Sequence, residues 1–230
     1  MLNLIKLEMK RMNLPGVALA FVLINAAIVG MLLLLGTEPD AVEEFFSSAE
    51  DIMMLIELLV VAAFVIYASV LLSTMIIEEF KNKTITVLFM YPVSRKKVLL
   101  AKLIIISLLT FFFVIASMII VFYSFSIFNG MYSFTPVVLP SALLGEYAIH
   151  LIVIAIACAS LSLIPLFFGM MKYSVPVTIV SSVLIVALLS SSVDPAGTNL
   201  LSYTAVLLLL GIVGFFAATL VVGRAVRQNF

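Results

Sequence analysis

The chain has 230 residues, of which 65% are hydrophobic and only 10% charged, and its Lys+Arg 12 balance its Asp+Glu 12 to a formal net charge of zero. A soluble domain is roughly 45–50% apolar and about 25% charged, and a globule of this size needs a polar skin. Composition therefore excludes a soluble enzyme and requires an integral membrane protein.

Run length selects helices over a barrel, since a spanning helix takes about 20 mostly apolar residues and a barrel strand about 9–11 alternating ones. Leu2, Ile5, Met9 and Met12 form an apolar stripe beside Lys6 and Lys10, which predicts an amphipathic interfacial helix over 1–14, ended by Pro15-Gly16. Apolar segments follow at about 15–36, 52–77, 98–124, 145–170, 174–192 and 200–223. The expected fold class is an all-α membrane protein of six transmembrane helices, forming a single transmembrane domain over 1–230. The first segment exceeds a signal core of about 7–15 residues and is expected to stay as an anchor.

The link 37–51 holds Glu38, Asp40, Glu43, Glu44, Glu50 and Asp51 and no base. Its residues 40–51 suit a helical turn or two with Phe45 and Phe46 toward the membrane. The plain reading is a solvated cap; the sharper one is an outer gate or a cation-attracting vestibule. Beyond it, Glu57 lies inside span two and His150 inside span four, four residues after Glu146 and on its helix face. Ionisable residues within spans are functional candidates, so Glu57, Glu146 and His150 are candidates for a pathway or gate. All lie near the outer interface, within reach of water.

Residues 78–102 read EEFKNKTITVLFMYPVSRKKVLLAK and hold half of all the bases. Thr84, Val87, Leu88 and Tyr91 follow the i, i+3, i+4, i+7 pattern of an amphipathic helix over 79–91. Pro92 stops it and Ser94 is placed to cap the next helix. The chain thus leaves the membrane, lays down one short helix and re-enters, which makes that helix a handle on spans two and three.

Later in the chain, Pro165 and Gly169 in span four and Pro176 in span five predict kinks, either static or acting as a hinge. Small residues recur at helical spacing: Ala62, Ser69 and Ser73 in span two, Ala148, Ala155, Ala159 and Ser162 in span four, Gly211, Gly214 and Ala218 in span six. Such faces pack helices closely in lipid. Asp194-Pro195-Ala196-Gly197 fits a type I turn and makes spans five and six a tight hairpin. Phe111, Phe112, Phe113 and Met118 either line a pathway or face lipid.

The links fix the orientation. Every base falls in 1–14, 78–102, at Lys172, or at Arg224 and Arg227, and none falls in 37–51, 125–146 or 193–199. Bases mark the cytoplasmic side, so both termini are expected inside. Only the acids Glu8, Glu78 and Glu79 share that side.

Several chemistries are excluded or left to another chain. Cys158 is the only cysteine and His150 the only histidine, so an internal disulfide is impossible and a metal site would lack ligands. No paired groups suggest catalysis. No phosphate-binding Gly-rich loop occurs, so any use of ATP falls to a partner, and no basic patch has nucleic-acid character.

The interfacial helix, the spans, and an inner loop of the form E-x(4)-T-x(3)-L-x(3)-P-V-S-R followed by a lysine resemble the ABC-2-type transporter permeases. The matching residues are Glu79, Thr84, Leu88, Pro92, Val93, Ser94, Arg95 and Lys102; Lys83 stands where that family commonly has Gly. The resemblance is to the small bacitracin, lantibiotic-immunity and peptide-toxin exporters. It implies a permease in a prokaryotic inner or plasma membrane, in contact with membrane lipid. The permease would pair with a second permease, identical or a sister chain, and with two copies of a nucleotide-binding ATPase subunit that holds ATP and Mg. Glu78, Glu79, Thr84, Val87, Leu88, Tyr91, Pro92 and Arg95 would form the ATPase-coupling segment within 78–97, and the cargo would be an amphipathic peptide or another lipophilic compound. The rival reading is an ion- or proton-coupled secondary transporter, which needs charged groups near the midplane.

Overall fold

Leu14–Thr37 forms the first spanning helix, α1, because it is apolar on every face and properly started: the Asn13 side chain accepts a hydrogen bond from Gly16 N, and a proline occupies the first turn. The computed structural model describes residues 5, 8–10, 12–81, 95–132, 135, 137, 145, 147–191 and 200–227. A short helix α2, Pro39–Phe45, leads to α3, Ala49–Leu72, whose Ser48 cap accepts from Asp51 N. A π-helical stretch, Ser73–Ile77, and a last turn, Glu78–Lys81, complete span two. Then come α4, Arg95–Tyr132, α5, Ala148–Leu161, α6, Ile164–Lys172, α7, Val175–Ser191, and α8, Leu200–Arg227. Among the described residues, five stretches are long and apolar enough to cross a membrane, and Val175–Ser191 is a shorter apolar helix. The chain is thus an all-α membrane protein of about six spans.

Alternate ends of the spans meet. One core cluster joins Phe80 at the end of span two, Leu99 and Leu103 at the start of α4, Leu163 and Leu166 beside the break in span four, and Val221 and Val222 late in α8. Met12, Val17 and Val175 pack on the same cluster. This is an up-and-down bundle with the bases Lys102 and Lys172 at the clustered end, and the start of span one and the end of span six share that end. The larger cluster fills the rest of the bundle, from Ile52 and Phe46 through Phe64 to Cys158 and Leu207.

Span four is the centre of the bundle, with 67% of its apolar window buried, whereas span one has 17% and lies at the edge. Leu34, Phe112 and Ile149 are exposed; in a bilayer these side chains meet acyl chains rather than water. Phe112 therefore has the lipid-facing role. Phe113 packs on Phe21 with ring centroids 4.6 Å apart, and Met118 is buried in the core.

Three local departures have physical causes. Span four is broken rather than bent: α5 stops at Leu161, and Pro165 sits in the first turn of α6, where its missing N–H costs nothing. Pro176 likewise lies in the first turn of α7 and starts that helix instead of kinking it. Phe46 turns into the bundle, buried against Phe125 at 5.3 Å, not toward the membrane; Thr135 Oγ1 donates to its carbonyl at 3.0 Å and helps hold it.

Spans four and five join through Tyr173, whose φ of 47° places it in the left-handed region, unusual for a side chain of this size. Its ring stacks on Phe80 at 5.9 Å, so packing offsets the backbone cost. A β-carbon at Gly169, one turn earlier, would overlap the side chains of Thr178 and Ile77. That glycine lets spans two, four and five converge at Ile77, near the end of span two. Small residues of span six pack closely on span four: Gly211 and Gly214 lie against Ala157 and Ser160, and Ala155, Ala159 and Ser162 of the predicted face on span four are buried.

Candidate functional site

Among the described residues, two clusters of ionisable groups interrupt the apolar bundle, one toward each end. At the acidic end, Glu57 Oε1 lies 2.9 Å from His150 Nε2. Glu57 follows Ser48 by two and a half helical turns, which turns it inward with Ile56, Val60 and Val61. Its side chain is 0% exposed, and that of His150 is 22% exposed. The expectation that both groups reach water is thus corrected for Glu57; only His150 touches the surface. Burial of a carboxylate demands a partner, and His150, in the first turn of α5, supplies it. Glu146 lies outside the described residues. Tyr203 of α8 is buried within electrostatic reach of Glu57, and its hydroxyl has no hydrogen-bond partner among the described residues. The sequence reading missed Tyr203; its signal was a lone phenol in the first turn of an apolar span.

At the basic end, Lys102 is the hub. It is 1% exposed. Its ammonium donates to the Met75 carbonyl at 2.8 Å, pairs with Glu79 at 2.6 Å and lies 3.6 Å from Glu8. Met75 lies in the π-helical stretch, where the ordinary i→i−4 ladder gives way to wider spacing. Ser73 Oγ donates back to Ser69 O at 2.8 Å, and Thr74 Oγ1 to Leu71 O at 3.1 Å; such back-bonding loosens a helix locally. Ser69 and Ser182 bridge spans two and five at 2.9 Å. One ammonium therefore joins the segment before span one, the end of span two and the start of span three.

Of the sequence-derived coupling residues, Glu78 and Glu79 are placed: Glu78 is exposed and Glu79 holds Lys102. Thr84, Val87, Leu88, Tyr91 and Pro92 lie outside the described residues, as does Leu2; Arg95 opens α4. Of the interfacial stripe, Ile5 is half-buried, Met9 is exposed, and Met12 packs on the inner cluster. Among the described residues, no group of His, Cys, Asp and Glu could hold a metal ion.

The structure is thus a bundle of apolar spans with a charge knot at the end of span two, and the sequence comparisons give its class. The family model of the ABC-2 family transporter proteins matches residues 4–188. The chain is also 35% identical over 229 residues to the uncharacterized protein YcbO of Bacillus subtilis (strain 168), covering 99% of this chain and 100% of that protein. No solved structure matches it. The chain belongs to the ABC-2 transporter family, as a multi-pass membrane protein of a prokaryote.

Proposed function

We propose that this chain is the pathway-forming permease of an ATP-driven exporter, working with a second permease and two copies of a separate ATPase subunit, which holds ATP and Mg. The single observation that supports the reading most is the Lys102 knot. It ties the described flanks of the 82–94 segment, Glu79 before it and Lys102 after it, to each other and to Glu8. A cytoplasmic motor pressing on Thr84, Val87, Leu88 and Tyr91 would move spans two and three and the N-terminal segment together. The cargo is an amphipathic peptide or another lipophilic compound, in keeping with spans that are almost wholly uncharged.

The test is co-expression with an ATPase encoded beside the gene, with purification through a tag on this chain. The expected result is recovery of a Walker-motif subunit and ATP-dependent transport in vesicles; recovery of the permease alone overturns the reading. Leu88→Asp should leave ATP hydrolysis running while transport is lost.

A second reading, a proton-coupled carrier, draws on the buried Glu57–His150 pair. Replacing both residues with Gln abolishes transport under that reading and leaves ATP-driven transport largely intact under the first.

A further inference from the structure

The acidic end of the bundle holds a carboxylate with one partner and a hydroxyl with none. Glu57 of span two lies 2.9 Å from His150 of span four through Oε1, while its Oε2 is buried without a hydrogen-bond partner among the described residues. The Tyr203 hydroxyl of span six is buried and unpartnered in the same sense, on a residue that is 2% exposed. A buried polar group left unpaired calls for an explanation, and more so inside a bilayer, where no bulk water replaces the missing bond.

The register of spans four and six sets these groups at one level. Gly211 lies against Ala157 and Gly214 against Ser160, so the two spans run parallel at a constant offset of 54 residues. His150 precedes Ala157 by seven residues, about two helical turns, and Tyr203 precedes Gly214 by eleven, about three turns. Both side chains therefore stand on the faces along which the spans meet. The same offset puts Tyr203 level with Ile149, the neighbour of His150. Tyr203 accordingly lies within electrostatic reach of Glu57. The carboxylate thus has two donors near it on two adjoining spans: an imidazole that it holds and a phenol that it does not. A phenol that donates to a carboxylate makes a short, charge-assisted bond, and rotation about the glutamate's own side-chain torsions redirects its carboxylate without moving the backbone.

We propose that Glu57 exchanges partners between spans, holding His150 of span four in this structure and the Tyr203 hydroxyl of span six in a second arrangement. In the first arrangement span two is tied to span four. In the second it is tied to span six, and span four is released. Two discrete bonds give two discrete packings of this end of the bundle, as in other switching elements. Tyr203 acts through Glu57 and is a positioning residue. The exchange is a property of this chain alone and stands apart from both the ATP-driven and the proton-coupled reading.

The test uses the full chain in detergent, without ATP or an ATPase, and reads thermal midpoints. In the native background Tyr203→Phe removes an unpaired hydroxyl, so the midpoint should stay within about 1 °C or rise. In the His150→Ala and His150→Leu backgrounds the carboxylate has only the phenol, and adding Tyr203→Phe should lower the midpoint by about 3 °C or more. The leucine background fills the space left by the ring, so one of the two remains usable if the other unfolds. An equal effect of Tyr203→Phe in every background overturns the proposal, as does a large loss in the native one. A second measurement needs no His150 variant. In chain labelled with 3-fluorotyrosine, the fluorine resonance that disappears in Tyr203→Phe should show relaxation dispersion from exchange with the second arrangement, and Glu57→Gln should suppress it. A flat profile, or dispersion unchanged in the Glu57→Gln protein, overturns the proposal. None of these outcomes bears on recovery of an ATPase, so the exporter reading stands or falls separately.

Discussion

Glu57 and His150 meet 2.9 Å apart inside the bundle and join span two to span four. The carboxylate is fully enclosed, so its charge depends on the imidazole. Removing one partner of a buried pair is worse than removing both, because it strands a charge. His150→Ala should therefore cost about 3 kcal/mol, and Glu57→Gln/His150→Gln distinctly less. Thermal unfolding in detergent decides the order; a double variant as unstable as His150→Ala would show that the pair is not the cause.

Lys102 gives the corresponding test at the other end. Lys102→Met leaves Glu79 without its ammonium and the Met75 carbonyl without its donor. The expected loss is about 3 kcal/mol or more, with Lys102→Arg recovering part because it keeps the charge. In the assembled transporter, Lys102→Met should depress transport more than ATP hydrolysis. The ratio of the two rates is the measurement, and an unchanged ratio means that the knot carries no motion.

Gly214 tests the packing of span six on span four. A β-carbon there would overlap the Ser160 carbonyl oxygen, which is backbone and cannot rotate away. Gly214→Ala should lower stability by about 2 kcal/mol, as overpacking does. Gly30→Ala has nothing within 4 Å of the new methyl and should be neutral or slightly stabilising, since alanine favours a helix by about 1 kcal/mol over glycine. Thermal midpoints of the two variants separate a steric effect from a propensity effect.

The single native thiol makes the orientation measurable. Cys158 is buried and should stay silent toward a membrane-impermeant maleimide. Glu43 and Lys97 are both exposed, one in the acidic link and one in the basic segment. In intact cells, Glu43→Cys should label and Lys97→Cys should not, and permeabilised cells should label both. The reverse pattern would invert the charge-based topology.

Much of the bundle was legible because apolar run length and charge alternation are strong, local signals. The runs at 15–36 and 200–223 correspond to α1 and most of α8, and the bases mark one end. The candidate sites were legible only as residue types. Glu57 and His150 stood out as ionisable groups in apolar runs, but their pairing depends on the relative register of two spans that are not neighbours in sequence. Lys102 was visible as a lysine entering span three. Its role arises from its bond to a carbonyl in the π-helical stretch, which no hydrophobic period encodes, although Ser69, Ser73 and Thr74 supply the back-bonding side chains that accompany it. Phe46 was misplaced because an aromatic beside an acidic cap suits lipid and core equally, and the choice rests on Phe125 and Thr135, distant in sequence.

The length of α4 has a mechanical consequence. Its 38 residues make a rod of about 57 Å at 1.5 Å per residue, against a hydrocarbon core of about 30 Å. Lys102 lies about two turns from its start, and near its far end Asn129 Oδ1 accepts a hydrogen bond from the Thr135 backbone N–H at 3.0 Å. Pivoting such a rod by about 5° about its middle displaces each tip by about 2.5 Å in opposite directions. Span three would thus work as a first-class lever, with its fulcrum in the bilayer: a displacement at the cytoplasmic tip would reach the far surface reversed in sense and undiminished in size.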